Sequence, residues 1–404
     1  MRLRSEAGLT GVTGKRPLAA LAAAGLCAGM VLSACSSSSS GTVAKTGSSA
    51  SASSSAAASS SSSASPSAGV QRAAAFVGQY LGVPSEPSVG SAFNAKAAAG
   101  KLIYLIPIQL AGFNKTIVDT AQAAAQQLGA KAVIWPSTGK LSDYQQGVEA
   151  AINAGANVIC LEGVDPQLIA PQLAAARAKG IKITLDIFGD GSSSLPAGFS
   201  GGVNMPFSLG GELEADYAIM ATKGHVDALV LTSDDIPQTP DVLKGLHQAF
   251  QANCPTCTLH YVNETVPTWP NFGSATAAAL REHPNVNYVI PLYDNYAQFA
   301  LSGISLAGAS QKVHMDTLNG TPSVLSEIKP GAVVQMDIGV SAVWLGYAEI
   351  TNALRVATGG QPTVVAGVPR VWTTTNVAQA GSPPSFATGY GANIEAPFKK
   401  VWGI

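Results

Sequence analysis

The chain has 404 residues, of which 47% are hydrophobic and 12% charged. About 300 residues remain after a low-complexity N-terminal part, which is enough for two domains of about 150 residues each. Residues 1–35 contain four bases and one acid, so the remainder carries 19 bases and 23 acids, a net charge of −4. Proteins that grip phosphate backbones are basic, and this balance excludes nucleic acid as a partner.

The first 35 residues have the pattern of an export signal. Four basic residues precede about eighteen uncharged ones that end in small side chains, which is typical of a secretory signal. Leu32–Cys35 resembles the bacterial lipobox, in which the cysteine thiol is acylated. We therefore expect a lipoprotein signal peptide over residues 1–35, lipidation of Cys35 and a Ser/Ala-rich tether over residues 36–68. An ordinary cleaved signal or an uncleaved anchor is the alternative.

A loosely patterned lead-in over residues 69–100 is followed by alternating strands and helices. The first series of strands is predicted in KLIYLIPI, KAVIWPS, NVICLEG and IKITLDI, with a helix between each pair. After FGDGSSSLPAGFSGG, a second series is predicted in HVDALVLTS, TLHYVNE, VNYVIPL and KVHMDTL. A long helix, SAVWLGYAEITNALRVATGG, then leads to extended segments that end in FKKVWGI. Apolar strands alternating with helices predict an α/β fold of two doubly wound, Rossmann-like lobes with parallel sheets.

The cysteines predict a small disulfide and no metal site. Cys254 and Cys257 form the motif CPTC, which should close a disulfide in an exported chain. A redox pair needs its first cysteine at a helix N-terminus, whereas this pair follows a predicted helix and precedes a strand. Cys160 lies in an apolar run and is expected to be an inert core residue. Too few cysteines remain for a four-thiol zinc site, and the histidines lack metal-ligand spacing.

One segment matches an enzyme motif, but its sequence context argues against catalysis. Residues 198–202 read GFSGG, which matches the G-x-S-x-G nucleophile pattern. That chemistry needs a strand before the serine and a helix after it, but a Ser/Pro loop precedes the motif here and extended chain follows. The segment between the first strand and helix has a single glycine, so a phosphate-binding loop is not expected either. We expect neither catalysis nor a cofactor.

The ordered series of segments from about Lys101 to about Gly360 resembles the type I periplasmic binding proteins, the solute receptors of ABC importers, in particular the ribose and simple-sugar group. The segments that carry the resemblance include AAAQQLGAKAVIWPSTGKLSDYQQGVEAAINAG, YDNYAQFALSGISLAG, NGTP and IKPG. It implies two lobes, residues 101–203 plus 341–360 and residues 204–340 plus 361–404. A three-strand hinge would join them, with crossings near Gly202–Met205, Asp337–Ser341 and Gly359–Thr363, and the lobes would close around it.

Ligand contacts are expected at the carboxyl ends of the strands, because these ends face the cleft. The candidates are Gln109, Phe113, Asn114, Trp135, Glu162 and Asp186 in the first lobe, and Asp234, Trp269, Tyr293, Asp294, Asn319 and Asp337 in the second. The resemblance implies that Phe113 stacks on a sugar ring and that Asp186 accepts two hydroxyls. Alternative roles are core packing for Phe113, a rim position for Trp135 and helix N-capping for Asp294.

These features predict an extracytoplasmic solute-binding lipoprotein, held to the outer face of the bacterial cell membrane through Cys35. It would be a monomer that passes its ligand to an ABC permease and ATPase. Ile187 stands where the resembled family has an arginine, so an anionic ligand is disfavoured and a neutral, polyhydroxylated ligand is expected. The alternatives are an amine, held by carboxylates and aromatic rings, a nucleoside-type ligand, or a sensory role on the same fold.

Overall fold

The computed structural model describes residues 67–191, 193–361 and 363–404. The predicted signal peptide, its Cys35 and all but the last two residues of the predicted tether lie outside this part. Ser67 belongs to the folded protein, because its hydroxyl accepts a hydrogen bond from the Val70 N–H and caps the first helix. Within these ranges, no helix has the length and apolarity that a membrane crossing requires.

The described ranges contain twelve strands and eleven α-helices. The strands are β1 Leu102–Ile106, β2 Lys131–Ile134, β3 Val158–Glu162, β4 Lys182–Asp186, β5 Gly202–Asn204, β6 Asp227–Thr232, β7 Thr258–Asn263, β8 Tyr288–Pro291, β9 His314–Asn319, β10 Val334–Val340, β11 Val364–Ala366 and β12 Pro369–Thr373. The α-helices are α1 Ala68–Gly78, α2 Gly112–Gln127, α3 Leu141–Asn153, α4 Ala170–Ala178, α5 Phe207–Ala221, α6 Thr239–Asn253, α7 Phe272–Glu282, α8 Asp294–Leu306, α9 Pro322–Leu325, α10 Ala342–Ala357 and α11 Glu395–Trp402.

The strands form two six-stranded sheets, one in each lobe. The first sheet has the order β11-β5-β4-β3-β1-β2, and its strand pairs are all parallel. The second has the order β12-β10-β9-β8-β6-β7, and only β12 runs antiparallel to its neighbour. Helices cover both faces of the first sheet, α3 and α4 on one side and α2 and α10 on the other. The prediction of two doubly wound α/β lobes is confirmed.

Strand β3 shows why the sequence forms a central parallel strand. All five of its residues are buried, as expected for a strand with helices on both faces. Side chains alternate along it, so Ile159 and Leu161 contact the α3–α4 layer while Val158 and Cys160 face the α2–α10 layer. The same alternation decides which face the strand-end acid Glu162 occupies.

The chain leaves the first sheet after β5, returns after β10 and crosses again after β11. The last crossing lies later than the predicted Gly359–Thr363. Val364–Ala366 pairs with β5 and extends the first sheet, and the Gly202 N–H donates to the Thr363 carbonyl just before it. The chain therefore passes to the second sheet at Gly367–Val368, between β11 and β12.

The C-terminal segment, predicted as extended chain in the second lobe, instead ends in helix α11, which packs on α10 of the first lobe. Phe398 and Trp402 lie one turn apart on α11 and stack around Tyr347 of α10. The Trp402 Nε1–H donates to the Thr351 hydroxyl at 2.9 Å. Burial of these two rings explains why the segment folds as a helix there.

The second lobe carries two features that lie beside each other. Helix α6 ends at the CPTC motif, where Cys254 and Cys257 form a disulfide with their Cα atoms 5.4 Å apart. Helix α1, part of the loosely patterned lead-in, packs on α5 and α6. Arg72 of α1 donates to the Asn253 side chain and to the Ala252 carbonyl, at 3.0 and 2.8 Å.

Candidate functional site

A cavity of about 50 Å³ lies between the lobes at the carboxyl ends of the strands. It is lined by Ile108, Phe113, Asn114, Gly163, Ile187, Met205, Phe207, Ile236, Gln238, Trp269, Tyr293, Asn295 and Asn319. The Gln238 Nε2–H₂ of the second lobe donates to the Ile187 carbonyl of the first at 2.6 Å. This hydrogen bond links the two lobes beside the cavity, and residues of both lobes line it.

Aromatic side chains from both lobes line the cavity. Phe113 comes from the first turn of α2 and is 4% exposed, with its ring 6.1 Å from that of Phe386. Trp269 comes from the 3₁₀ turn before α7, and its Nε1–H donates to the Ser233 hydroxyl at 2.9 Å. Tyr293 is the residue that precedes α8. Ring faces of this kind suit the C–H face of a sugar or a flat base.

The polar side chains of the cavity are the amides and Tyr293, whose hydroxyl is buried. The Asn114 Nδ2–H₂ donates to Glu162 Oε2 at 3.2 Å, and the Gln238 amide nitrogen is engaged by Ile187. Their amide oxygens, and the second hydrogen of each NH₂ group, are therefore left to face a ligand. The Oδ1 atom of Asn319 is buried and has no hydrogen-bond partner in the described chain. The lining thus offers both hydrogen-bond acceptors and donors, and it contains no carboxyl or basic side chain.

The structure brings together five of the predicted ligand-binding residues and leaves the others outside the lining. The five are Phe113, Asn114, Trp269, Tyr293 and Asn319. Those outside it are Gln109, Trp135, Glu162, Asp186, Asp234, Asp294 and Asp337. Among the latter, Trp135 packs against Gly147 of α3, and Asp234 is exposed.

Glu162 and Asp186 lie beneath the cleft, because strand alternation points them toward the α2–α10 layer. Asp186 accepts a hydrogen bond from the Thr184 hydroxyl at 2.8 Å, and Glu349 of α10 lies close to both acids. Burial raises the pKa of Glu162 to about 8 and that of Asp186 to about 7. Glu162 still acts on the cavity indirectly, since it orients the Asn114 amide.

The second-lobe acids Asp294 and Asp337 also lie outside the cavity lining, where backbone groups bind them. Asp294 accepts from the Thr321 N–H at 2.7 Å, and Asp337 accepts from the Gly320 N–H at 3.0 Å. Both carboxyls therefore hold the first residues of the loop after β9, next to Asn319 at the end of that strand. Burial raises the pKa of both groups. The N-cap position of α8, the alternative considered for Asp294, is occupied by Tyr293.

One group of side chains within the described ranges could offer three atoms to a metal ion. It consists of Cys160, Asp186 and Glu349, whose candidate ligand atoms lie within 4.8 Å of one another. Burial raises the pKa of the thiol and of both carboxyls, which favours their protonated forms. Metal ligands must be deprotonated, so this environment does not favour metal binding.

A larger cavity, of about 530 Å³, lies away from the strand ends. It is formed by residues 84–92 of the lead-in, the segment before and along α11, and Trp344 of α10. These surrounding segments, apart from Trp344, are additions to the two sheets and their crossings. The interlobe cavity is the better candidate, because ligands of open parallel sheets bind beyond the carboxyl ends of the strands.

Several lining residues were not predicted from the sequence. Ile187 and Gly163 directly follow strands β4 and β3, and Ile236 and Gln238 lie in the loop after β6. Met205 belongs to the crossing after β5, and Phe207 is the first residue of α5. The signal that could have found them is position: residues that follow a strand end reach the cleft, whereas the last strand residue can face a helix layer instead.

The chain is similar to known proteins in sequence and in fold. Residues 103–361 match the family described as the periplasmic binding protein domain. No curated protein matches the chain.

Solved structures with the same fold are numerous, and three represent them. A 5-methylthioribose transporter solute-binding protein from Thermotoga lettingae, in complex with 5-methylthioribose, has a TM-score of 0.66 at 16% identity, covering 76% of this chain and 97% of that one. An ABC transporter solute-binding protein from Mycobacterium smegmatis with bound glycerol has a TM-score of 0.62 at 22% identity, covering 70% of this chain and 97% of that one. An ABC transporter solute-binding protein from Agrobacterium vitis with bound allitol has a TM-score of 0.62 at 15% identity, covering 70% of this chain and 98% of that one.

Proposed function

Because this chain belongs to the periplasmic binding protein family, whose members are binding proteins and not enzymes, we propose that it captures a small, neutral, polyhydroxylated ligand between its lobes. The proposal rests on the interlobe cavity, which is lined by aromatic rings and amides and by no charged side chain. Amide oxygens accept from hydroxyls, and ring faces cover the C–H surfaces of a sugar. The 5-methylthioribose, glycerol and allitol in the similar structures are all neutral and hydroxylated.

The same lining argues against the amine alternative. Binding of a cation in a buried site requires a paired negative charge, and the strand-end carboxyls lie outside the cavity. A nucleoside-type ligand keeps some support from the aromatic rings of Phe113, Trp269 and Tyr293. We infer that the ligand is uncharged in either case.

The proposed setting is extracytoplasmic, in keeping with the family, with Cys35 as the lipid anchor. The bound form would be handed to an ABC permease and ATPase. Anchoring is tested by growing cells that express the wild-type chain or Cys35→Ala with a labelled fatty acid. We expect label on the wild type, recovered in the membrane fraction, and none on the variant, whichever fraction contains it, because an uncleaved signal can itself hold the variant in the membrane. An unlabelled wild type would contradict the lipid anchor.

Ligand binding is tested by calorimetric titration with neutral sugars, polyols, nucleosides, polyamines and amino acids. We expect saturable binding of at least one neutral hydroxylated compound. Its binding should be lost in Phe113→Ala and kept in Tyr261→Ala, an exposed aromatic position of β7 that does not line the cavity. At about 100 times its Kd, such a ligand stabilises the folded state by roughly 2.7 kcal/mol. Tightest binding of an amine or an amino acid would overturn the proposal.

A further inference from the structure

The part of the interlobe cavity next to the strand crossings is lined by apolar side chains. We define the apolar wall as the four side chains of Ile187, Met205, Phe207 and Ile236. They are between 1% and 8% exposed and belong to one packed cluster. Met205 lies on the crossing after β5 and Phe207 begins α5. Ile187 is held beside them because its N–H donates to the Val203 carbonyl of β5. The hydrogen bond from Gln238 to Ile187 brings the loop that carries Ile236 to the same place.

The polar side chains of the cavity are the lining amides and Tyr293, none of which belongs to the apolar wall. The amide nitrogens of Asn114 and Gln238 already donate to protein acceptors. Their oxygens, the unpartnered Oδ1 of Asn319 and the buried Tyr293 hydroxyl are left for a ligand. A fourth amide, Asn295, is only partly buried. A buried hydroxyl that finds no partner costs free energy. A ligand hydroxyl placed against the apolar wall finds no partner among the four side chains of that wall.

The backbone at Ile187 gives an independent reason to regard the wall as part of the site. Ile187 has φ of 51°, in the left-handed region that β-branched residues rarely adopt. Glycine or asparagine would relieve this strain, yet the chain carries an isoleucine whose side chain lines the cavity. Strained residues of this kind persist where the surrounding structure holds them, and they cluster at ligand sites.

We propose, on the basis of the function proposed above, that the ligand is a neutral sugar or polyol in which one hydroxyl is replaced by an apolar substituent, such as a methyl or alkylthio group. The substituent lies against the apolar wall, and the remaining hydroxyls donate to the amide oxygens of Asn114, Gln238 and Asn319. A fully hydroxylated parent compound has to bury one hydroxyl against hydrocarbon, and it binds more weakly for that reason.

Matched compounds test this directly. Dissociation constants are measured by calorimetry for ribose, 5-deoxyribose and 5-methylthioribose, for L-mannose and L-rhamnose, and for L-galactose and L-fucose. In every series in which a member binds, we expect a substituted compound to bind about 10- to 100-fold more tightly than its parent. A parent that binds as tightly or more tightly overturns the inference and leaves the proposed function standing. Failure of all these compounds, and of the wider neutral panel, overturns both.

Variants at Ile187 test the place of the substituent. Asparagine tolerates positive φ, so Ile187→Asn adds a polar group to the wall without adding backbone strain. Ile187→Gly removes the strain and the side chain but adds no polar group. We expect the preference for the substituted compound to shrink at least about tenfold in Ile187→Asn and to remain in Ile187→Gly. An unchanged preference in Ile187→Asn, in a protein with a normal melting transition, would overturn the placement at the wall.

Discussion

Buried carboxyl groups without basic partners are an unusual feature of both lobes. In the first lobe they are Glu162, Asp186 and Glu349, and in the second Glu214, Asp294, Asp316 and Asp337; none is more than 6% exposed. Within the described ranges, no lysine or arginine forms an ion pair with any of them. Burial raises the pKa of each, because the charged form loses its hydration. The folded protein therefore holds protons that the unfolded chain releases.

The protein should accordingly be more stable at mildly acidic pH than at alkaline pH. An acid whose pKa is raised in the folded state contributes its full stability below its unfolded pKa, about 4. That contribution is lost as the pH rises through the folded values, which reach about 7 for Asp186 and about 8 for Glu162. We expect a melting temperature several degrees higher at pH 5 than at pH 8, at constant ionic strength. A higher melting temperature at pH 8 would contradict neutral buried carboxyls.

Replacing a single acid should weaken this pH dependence. Glu349→Gln keeps the shape of a fully buried side chain of α10 but removes one ionisable group. We expect the loss of unfolding free energy between pH 5 and pH 8 to become smaller by about 1–3 kcal/mol, since one pKa unit corresponds to about 1.4 kcal/mol. Denaturant titrations at both pH values measure this. Glu149→Gln, at an exposed position of α3, is the control and should leave the pH dependence unchanged.

At the scale of elements, the crossing of α5 and α6 depends on two glycines. A Cβ atom on Gly211 would lie 1.9 Å from the Val242 carbonyl oxygen, and one on Gly245 would lie 1.7 Å from that of Ser208. The helices therefore touch backbone to backbone. Gly211→Ala should force them apart and lower the unfolding free energy by about 1–3 kcal/mol.

The matched control for this substitution is Gly78→Ala, at the last residue of α1, where a Cβ would meet no atom within 4 Å. That variant should be neutral or slightly stabilised, because alanine reduces the entropy of the unfolded chain. Both are measured by denaturant titration. Equal stability of Gly211→Ala and the wild type would show that the two helices can separate at little cost.

The alternating pattern was enough to predict the elements that build the lobes, because buried strands such as β3 are apolar throughout and their helices are amphipathic. It was not enough to place the strand-end carboxyls. The rule that ligands bind at strand ends selects Glu162 and Asp186, but which face each occupies depends on register within the strand. Helix α11 was missed for a different reason. Its Phe398 and Trp402 gain their stability from contacts with α10, distant in sequence, rather than from local propensity.

At the scale of the whole molecule, both ends of the folded chain connect the two lobes beside the strand crossings. Helix α1 packs on the second lobe, and residues 79–94, which we call the N-terminal strap, run from it to the first. The Tyr80 carbonyl accepts from the Val371 N–H of β12. Further along, the Arg355 guanidinium of α10 donates to the carbonyls of Val89 and Ser91, at 3.1 and 2.9 Å. A movement that opens the cleft therefore shifts the two attachment points of this strap relative to each other.

Arg355→Met should therefore loosen the closed arrangement as well as destabilise the fold. The substitution leaves the Val89 and Ser91 carbonyls without their donor and removes the guanidinium from the Phe93 ring, 4.5 Å away. We expect a loss of roughly 2–3 kcal/mol of unfolding free energy, as for hydrogen bonds to a charged group. The radius of gyration of the ligand-free protein should rise in small-angle X-ray scattering, because lobes released from the strap can rotate about the crossings.

The control is Arg281→Met, which removes a comparable but exposed arginine–carbonyl hydrogen bond within the second lobe. It should change neither the radius of gyration nor the stability by more than about 0.5 kcal/mol. If Arg355→Met loses stability but keeps the radius of the wild type, the strap only holds the N-terminal segment in place. If the radius rises as expected and added ligand restores it, the strap sets how far the lobes open before the ligand draws them together.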